Sequence, residues 1–174
     1  MKMIFPTIGY KQKAIDFINE FYEFDSEING SGALDSFLKE STYEEWLKKV
    51  LNDIDIANIK PRVPALTYFY VRETDDKIVG MVNIRLALND FLRKEGGHIG
   101  YCIRPTERSK HYATTMLKEA LEICKTIGIE EVIVSCDKSN IGSAKVIKNC
   151  SGELEAEFFS ETFGELIQKY IIKL

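Results

Sequence analysis

The stretch Ile99-Gly-Tyr-Cys-Ile-Arg-Pro-Thr-Glu-Arg-Ser-Lys-His-Tyr-Ala-Thr114 decides how the rest of the chain is read. It begins as a strand, His98 to Arg104, opened by Gly96-Gly97 and stopped by Pro105, because proline cannot donate to a ladder. After a short polar turn the residues Tyr112, Ala113, Met116, Leu117, Ala120, Leu121, Cys124 and Ile127 recur at helical spacing, and Gly128 supplies the stop. A helix that opens directly after a strand leaves its first amides unpaired and turns its positive end toward whatever lies above the strand. Such an end attracts anions, and Arg108 and Lys110 would add positive charge. An ordinary strand-to-helix turn with a solvated charge run fits the same residues, so the motif by itself leaves both readings open.

Upstream, Met3 to Phe5 reads as a short strand. Tyr10, Ala14, Phe17, Ile18, Phe21 and Tyr22 give an amphipathic helix ending near Phe24. Asn29 to Gly32 is a flexible turn. A second helix covers Thr42 to Asp53, with Thr42 as N-cap, Glu45 as its capping-box partner, and Trp46, Leu47, Val50 and Leu51 on the buried face. Lys60 to Pro64 holds two prolines and reads as a loop. Thr67 to Arg72 and Ile78 to Leu86 form an antiparallel hairpin about the charged turn Glu73 to Lys77. Downstream, Glu131 to Cys136 has the unbroken apolar run of a strand buried on both faces. A helix then runs from Ile141 to Asn149, and strands near Glu153 to Phe159 and Leu166 to Ile172 close the chain. The order predicts an α/β (α+β) domain: a mixed, mostly antiparallel central sheet flanked by helices, without repeats or an internal linker.

With 174 residues, 45% hydrophobic and 29% charged, the chain suits one domain with one well-filled core. Its net charge is −4 and its Lys and Arg are scattered, which argues against nucleic acid as a partner. No apolar run reaches the roughly 18 residues of a membrane span. Cys102, Cys124, Cys136 and Cys150 form no C-x-x-C pair and have no histidine at zinc spacing. They read as reduced thiols in a cytoplasmic protein that needs no metal.

Arg108-Ser-Lys-His-Tyr-Ala113 resembles the acyl-coenzyme A signature Arg/Gln-x-x-Gly-x-Gly/Ala of the GNAT N-acetyltransferase superfamily. Ile103-x-Pro105 before it and Asn140-x-x-Ser143-x-x-Val146 after it fit the branch that includes the ribosomal-protein alanine acetyltransferases. Gly-Gly-His-Ile-Gly-Tyr and Cys-Asp-Lys-x-Asn are similar to stretches of bacterial acetyltransferases of the same length. The resemblance implies the GNAT fold over a single domain 1–174, with substrate-side helices and a loop in 1–65 and the cofactor-binding core in 66–174. It also implies acetyl-coenzyme A as cosubstrate, held by Cys102, Ile103, Arg104, Arg108, Ser109, Lys110, His111, Tyr112, Ala113, Thr114, Asn140 and Ser143. Asn140 has two compatible roles, as cap of the next helix and as donor to the pantetheine arm.

Two departures stand out. His111 occupies the signature's central glycine, and a place inside the first helical turn, with negative φ, would accommodate its β-carbon. The tyrosine that many relatives carry in the helix after Asn140, one position off Val146, is absent.

Acetyl transfer needs a neutral amine, yet an amine of pKa about 10.4 is almost wholly protonated at pH 7, so a base is useful. In the alanine acetyltransferase branch a glutamate stands where this chain has His98. A neutral imidazole titrating near 6.5 suits that role, and a strand histidine hydrogen-bonded for packing is the alternative. Gly100, on the same face as His98 and Cys102, would leave room for substrate. A thiolate leaves without much help, so the missing tyrosine costs less than a missing base would. A backbone amide of the strand ending at Ile103 would hold the oxyanion. A covalent route through Cys102 or Cys136 has no adjacent histidine to support it.

The expectation is therefore an N-acetyltransferase acting on a primary amine of a small molecule or peptide by direct attack in a ternary complex, with the Asn29 to Phe37 loop and the Trp46 helix selecting the amine. The rival is a non-catalytic acyl-coenzyme A binder, a sensor. Nucleotide binding by the same helix end ranks below both, because no G-x-x-x-x-G-K-[ST] loop is present. The closing strand would pair across a homodimer if it stays exposed.

Overall fold

The computed structural model describes residues 1–55 and 62–174. Part of the loop assigned to Lys60 to Pro64 therefore lies outside the described residues. The strands are β1 (Lys2–Ile4), β2 (Ala65–Arg72), β3 (Lys77–Arg85), β4 (Ile99–Ile103), β5 (Glu131–Asp137), β6 (Glu153–Ser160) and β7 (Glu165–Lys173). The helices are α1 (Lys11–Glu23), α2 (Leu34–Glu40), α3 (Tyr43–Asn52), α4 (Tyr112–Thr126) and α5 (Ile141–Asn149). Sequence periodicity missed α2, seven residues long, and a π-helical turn over Leu92–Gly96. Both are shorter than the two or three turns that make a 3.6-residue period visible.

The strands form two antiparallel sheets, β1-β2-β3-β4 and β5-β7-β6, in place of one mixed sheet. The first sheet is covered on both faces, which is why β3 is buried from Ile78 to Ile84. One cover is α4, whose Met116, Leu117 and Ala120 share a buried cluster with Val82, Ile84 and Ile99 that continues to Val134 of β5 and Ile147 of α5. The other is α1 to α3, whose Phe17, Phe21, Leu34, Trp46 and Val50 pack with Phe69, Val71 and Met81. An extra residue in β3, at the register shift opposite Tyr70 and Val71, lets Ile78 join the second cluster while Val79 joins the first.

Thr42 caps α3 by accepting the Glu45 N–H at 3.2 Å, as its sequence predicts. Leu51, assigned to the buried face, is 51% exposed, and Tyr43 takes its place in the core. Trp46 is wholly buried and its Nε1–H donates to the Gly32 carbonyl at 3.0 Å. It therefore supports the loop before α2 from beneath and is out of reach of any substrate.

Candidate active site

The site lies where the two sheets part. At the start of β4 the His98 N–H donates to the Ile133 carbonyl at 2.7 Å, and Gly97, at φ +66°, has no room for a β-carbon, which would sit 2.5 Å from that carbonyl oxygen. Beyond this contact β4 pairs only with β3, β5 pairs only with β7, and the strands splay. The cleft that opens between them has a volume of about 1170 Å³ and reaches from the N-terminus of α4 to the loop after α1.

On one side is the uncapped start of α4. No side chain caps it, and the Thr115 N–H is the first to find a carbonyl, that of His111 at 3.2 Å. The amides before it are left for a ligand, beside Arg108, Ser109, His111, Tyr112, Ala113 and Thr114 in the cleft wall. Arg108 is held there by Nε–H to the Ile103 carbonyl at 3.2 Å and Nη2–H to Ser26 Oγ at 2.6 Å. The expectation of negative φ at His111 is corrected: His111 sits at φ +63° and Ser109 at +62°, both left-handed. The signature's glycine is thus explained by backbone geometry. We expect His111→Gly to relieve about 1 kcal/mol of strain and raise the melting temperature by about 3 °C in calorimetry. No change would mean that the imidazole offsets the strain with a contact of its own.

Across the cleft Asn140 caps α5, its Oδ1 accepting the Ser143 N–H at 2.9 Å and leaving Nδ2 free to donate. The Ser143 hydroxyl lies 2.9 Å from the Tyr101 hydroxyl, reaching over from β4. Burial pushes the Tyr101 pKa well up, with the Ser143 hydrogen bond only partly opposing it, so the phenol stays protonated. The Cys136 thiol is likewise raised by burial, and the Cys102 thiol is pushed up to about 12. Both cysteines line the cleft, but neither carries the lowered pKa of an activated nucleophile. Arg104 N–H bonds the Val79 carbonyl and Arg85 N–H the His98 carbonyl, so alternation along β4 turns the Tyr101 and Ile103 amides into the gap.

On the opposite face of β4 the space expected beside Gly100 is filled by the chain itself. Gly30, at φ +69°, lies so close that a β-carbon on it would fall 2.1 Å from the Gly100 carbonyl oxygen. The loop carrying Gly30 also brings Glu27 into the cleft, on the side where Asp137 ends β5 and Glu165 begins β7. The Glu27 carboxyl is raised by partial burial and by the charges of Asp137 and Glu165.

Three residues assigned from sequence lie outside the cleft wall. Arg104 is 6% exposed, with Nη1–H to Glu20 Oε2 at 2.6 Å and Nε–H to the Ile78 carbonyl, and it locks α1 to the sheet. Lys110 donates to Glu107 at 2.8 Å. His98 accepts the Ile133 N–H on Nδ1 at 2.9 Å, which places its proton on Nε2 and occupies its lone pair. Burial, followed by the charges of Arg85 and Arg93, lowers its pKa and keeps it neutral. Such a histidine is a brace between the sheets. Sequence reasoning did not find Glu27 or Arg85 in the cleft, because neither sits in a motif.

Two splayed antiparallel sheets, a glycine-assisted contact at their hinge and an uncapped helix end facing the gap leave an open cleft between β4 and β5. The chain belongs to the GNAT acetyltransferase family, whose domain model matches residues 20–152. No curated protein sequence matches at a significant level. Similar solved structures include the microcin C7 self-immunity acetyltransferase MccE in complex with acetyl-CoA and AMP, 19% identical, TM-score 0.69, covering 99% of this chain and 91% of that one. The ribosomal-protein-S5-alanine acetyltransferase from Vibrio fischeri is 18% identical, TM-score 0.68, with coverage of 99% and 91%. RimL, the ribosomal L7/L12 α-N-protein acetyltransferase in complex with coenzyme A, is 14% identical, TM-score 0.71, with coverage of 99% and 93%.

Proposed function

We propose that the protein is an acetyl-CoA-dependent N-acetyltransferase in which a primary amine attacks the thioester directly within a ternary complex. The observation that carries this reading is the uncapped α4 N-terminus opening into the cleft between β4 and β5. The amides preceding Thr115, with Arg108, take the diphosphate. Asn140 Nδ2 donates to the pantetheine arm, and a β4 amide facing the gap, from Tyr101 or Ile103, receives the thioester carbonyl and then its oxyanion. The reading is supported by the likeness in fold to MccE and RimL, whose structures hold acetyl-CoA and coenzyme A.

Attack forms the C–N bond, and collapse of the tetrahedral intermediate breaks C–S. The departing thiolate accepts hydrogen bonds from the Tyr101 and Ser143 hydroxyls, which stand 2.9 Å apart, and takes its proton from solvent, so a phenol on β4 stands in for the one absent from α5. The proton lost by the amine goes to Glu27, whose raised carboxyl is a stronger base than an ordinary one and whose neighbours Asp137 and Glu165 favour a cationic amine. In this reading His98 is not the base, because protonating Nδ1 would break its bond to the Ile133 amide.

The test is free-thiol release from acetyl-CoA over a panel of amines, with the acetylated product weighed by mass spectrometry. Amine-dependent turnover is expected. Coenzyme A binding without turnover on any amine would instead support the sensor. Glu27→Gln should lower kcat/KM about 100-fold and Tyr101→Phe should lower kcat about 10-fold, each with coenzyme A affinity unchanged. His98→Ala should keep the parent's pH profile; loss of its acidic limb would return the base to His98.

A further inference from the structure

Arg85 ends β3 on the amine side of β4, with Nη2 3.6 Å from where a Gly100 β-carbon would stand. Its Nη1 donates to the carbonyls of Gly96 and Gly97, each at 2.9 Å. Nε and Nη2 enter none of the hydrogen bonds or ion pairs found among the described residues, and no carboxylate pairs with the group. Arg72 is neutralised by Asp75 and Glu107 and Arg104 by Glu20, whereas Arg108, like Arg85, bonds neutral groups. A guanidinium drawn out of water without a counter-charge is costly to keep. Burial lowers its pKa, but arginine does not give up its proton, so the charge stays. In the same cleft wall Ser135 Oγ is buried and has no hydrogen-bond partner among the described residues. The cleft wall thus holds a two-pronged cation and an unpartnered hydroxyl together with the acidic Glu27, Asp137 and Glu165.

We propose that Arg85 receives an oxyanion, a carboxylate or a phosphate, carried by the acceptor itself, so that the preferred substrate is a small zwitterionic amine. The inference rests on the acetyltransferase reading above. The guanidinium fork meets both oxygens of the anion, Ser135 donates to one of them, and the ammonium end is left toward Glu27. A plain polyamine or an amine lacking the anion leaves Arg85 uncompensated and is the poorer substrate.

The test compares, on the parent enzyme, amino acids of increasing amine-to-carboxylate spacing with their methyl esters and with aminoalkyl phosphates of matched length. At least one anionic amine should exceed its neutral counterpart by about 30-fold in kcat/KM, the factor expected of hydrogen bonds to a charged group. The carboxylate and phosphate arms identify which oxyanion is recognised. Arg85→Met should bring the anionic amine down to the rate of its ester, and Arg85→Lys should restore part of the difference. Esters or polyamines turned over as well as the anionic amines would overturn the proposal while leaving the acetyltransferase reading intact. If no amine is turned over, that reading fails, and calorimetric titration of the amino acid into the coenzyme A complex still decides: equal affinity for acid and ester removes Arg85 as an anion site. Should Arg85→Met fail to fold, the comparison on the parent enzyme stands alone.

Discussion

Gly30→Ala is expected to lower kcat/KM for the amine about 100-fold while changing coenzyme A affinity by less than about threefold. The added methyl group would fall 2.1 Å from the Gly100 carbonyl oxygen and 2.3 Å from its carbon, which are backbone atoms fixed in the β3–β4 ladder. The φ of +69° adds strain for any residue with a β-carbon. The loop before α2 must therefore lift away, carrying Glu27 with it, and the amine side loses its wall. The helix end at α4 lies on the other side of β4 and is joined to this loop through the Arg108–Ser26 hydrogen bond. Gly100→Ala places its methyl 3.3 Å from Gly30 N, a tighter but negotiable contact, so it should show the same effect at smaller size. Steady-state kinetics paired with coenzyme A titration separates the two sides of the cleft. A parallel loss of coenzyme A affinity would mean that the loop also shapes the cofactor side.

Glu107→Gln should cost about 3 kcal/mol of stability, a fall of about 9 °C in melting temperature. The Glu107 side chain is 5% exposed and receives Arg72 at 2.8 Å, Lys77 at 3.1 Å and Lys110 at 2.8 Å. Burial alone would raise its carboxyl, yet the hydrogen bonds from Lys110, Arg72 and Lys77 hold it down at about 2. A carboxyl depressed on folding contributes stability above its ordinary pKa, near 4.5, and that contribution is lost as pH falls from there toward 2. The parent should therefore lose stability through that window more steeply than the variant, whose amide does not titrate. Urea unfolding at several pH values measures both slopes. Parallel slopes would show that the three cations find other partners. Freeing Lys110 from Glu107 also leaves an unpaired ammonium near the α4 N-terminus, so coenzyme A affinity should hold or rise.

Much of the fold was legible from local chemistry. The α4 stripe from Tyr112, the Gly128 stop, the β2–β3 hairpin and the caps at Thr42 and Asn140 all depend on neighbours within a few positions, and each is found within a residue or two of its expected place. Leu51 and α2 were misjudged because a short or end-of-helix pattern does not say which face the rest of the chain will cover. At His111 the residue was flagged correctly, but its φ was read with the wrong sign: from sequence alone, one turn's difference in where α4 begins cannot be seen.

The sequence by itself determined the periodicities, the turns and the uncapped turn between β4 and α4, since these are set by spacings of one to four residues. Only the tertiary structure decided what the chargeable groups do. His98 became a brace because Ile133, 35 residues away, presents its amide to the imidazole. Arg104 was taken into the core by Glu20, 84 residues away. Arg85 and Glu27 were brought into the cleft by the splay of β4 from β5 and the close approach of Gly30 to Gly100. Charge and hydrogen bonding act across a few ångströms of space, and which residues share that space is settled by packing.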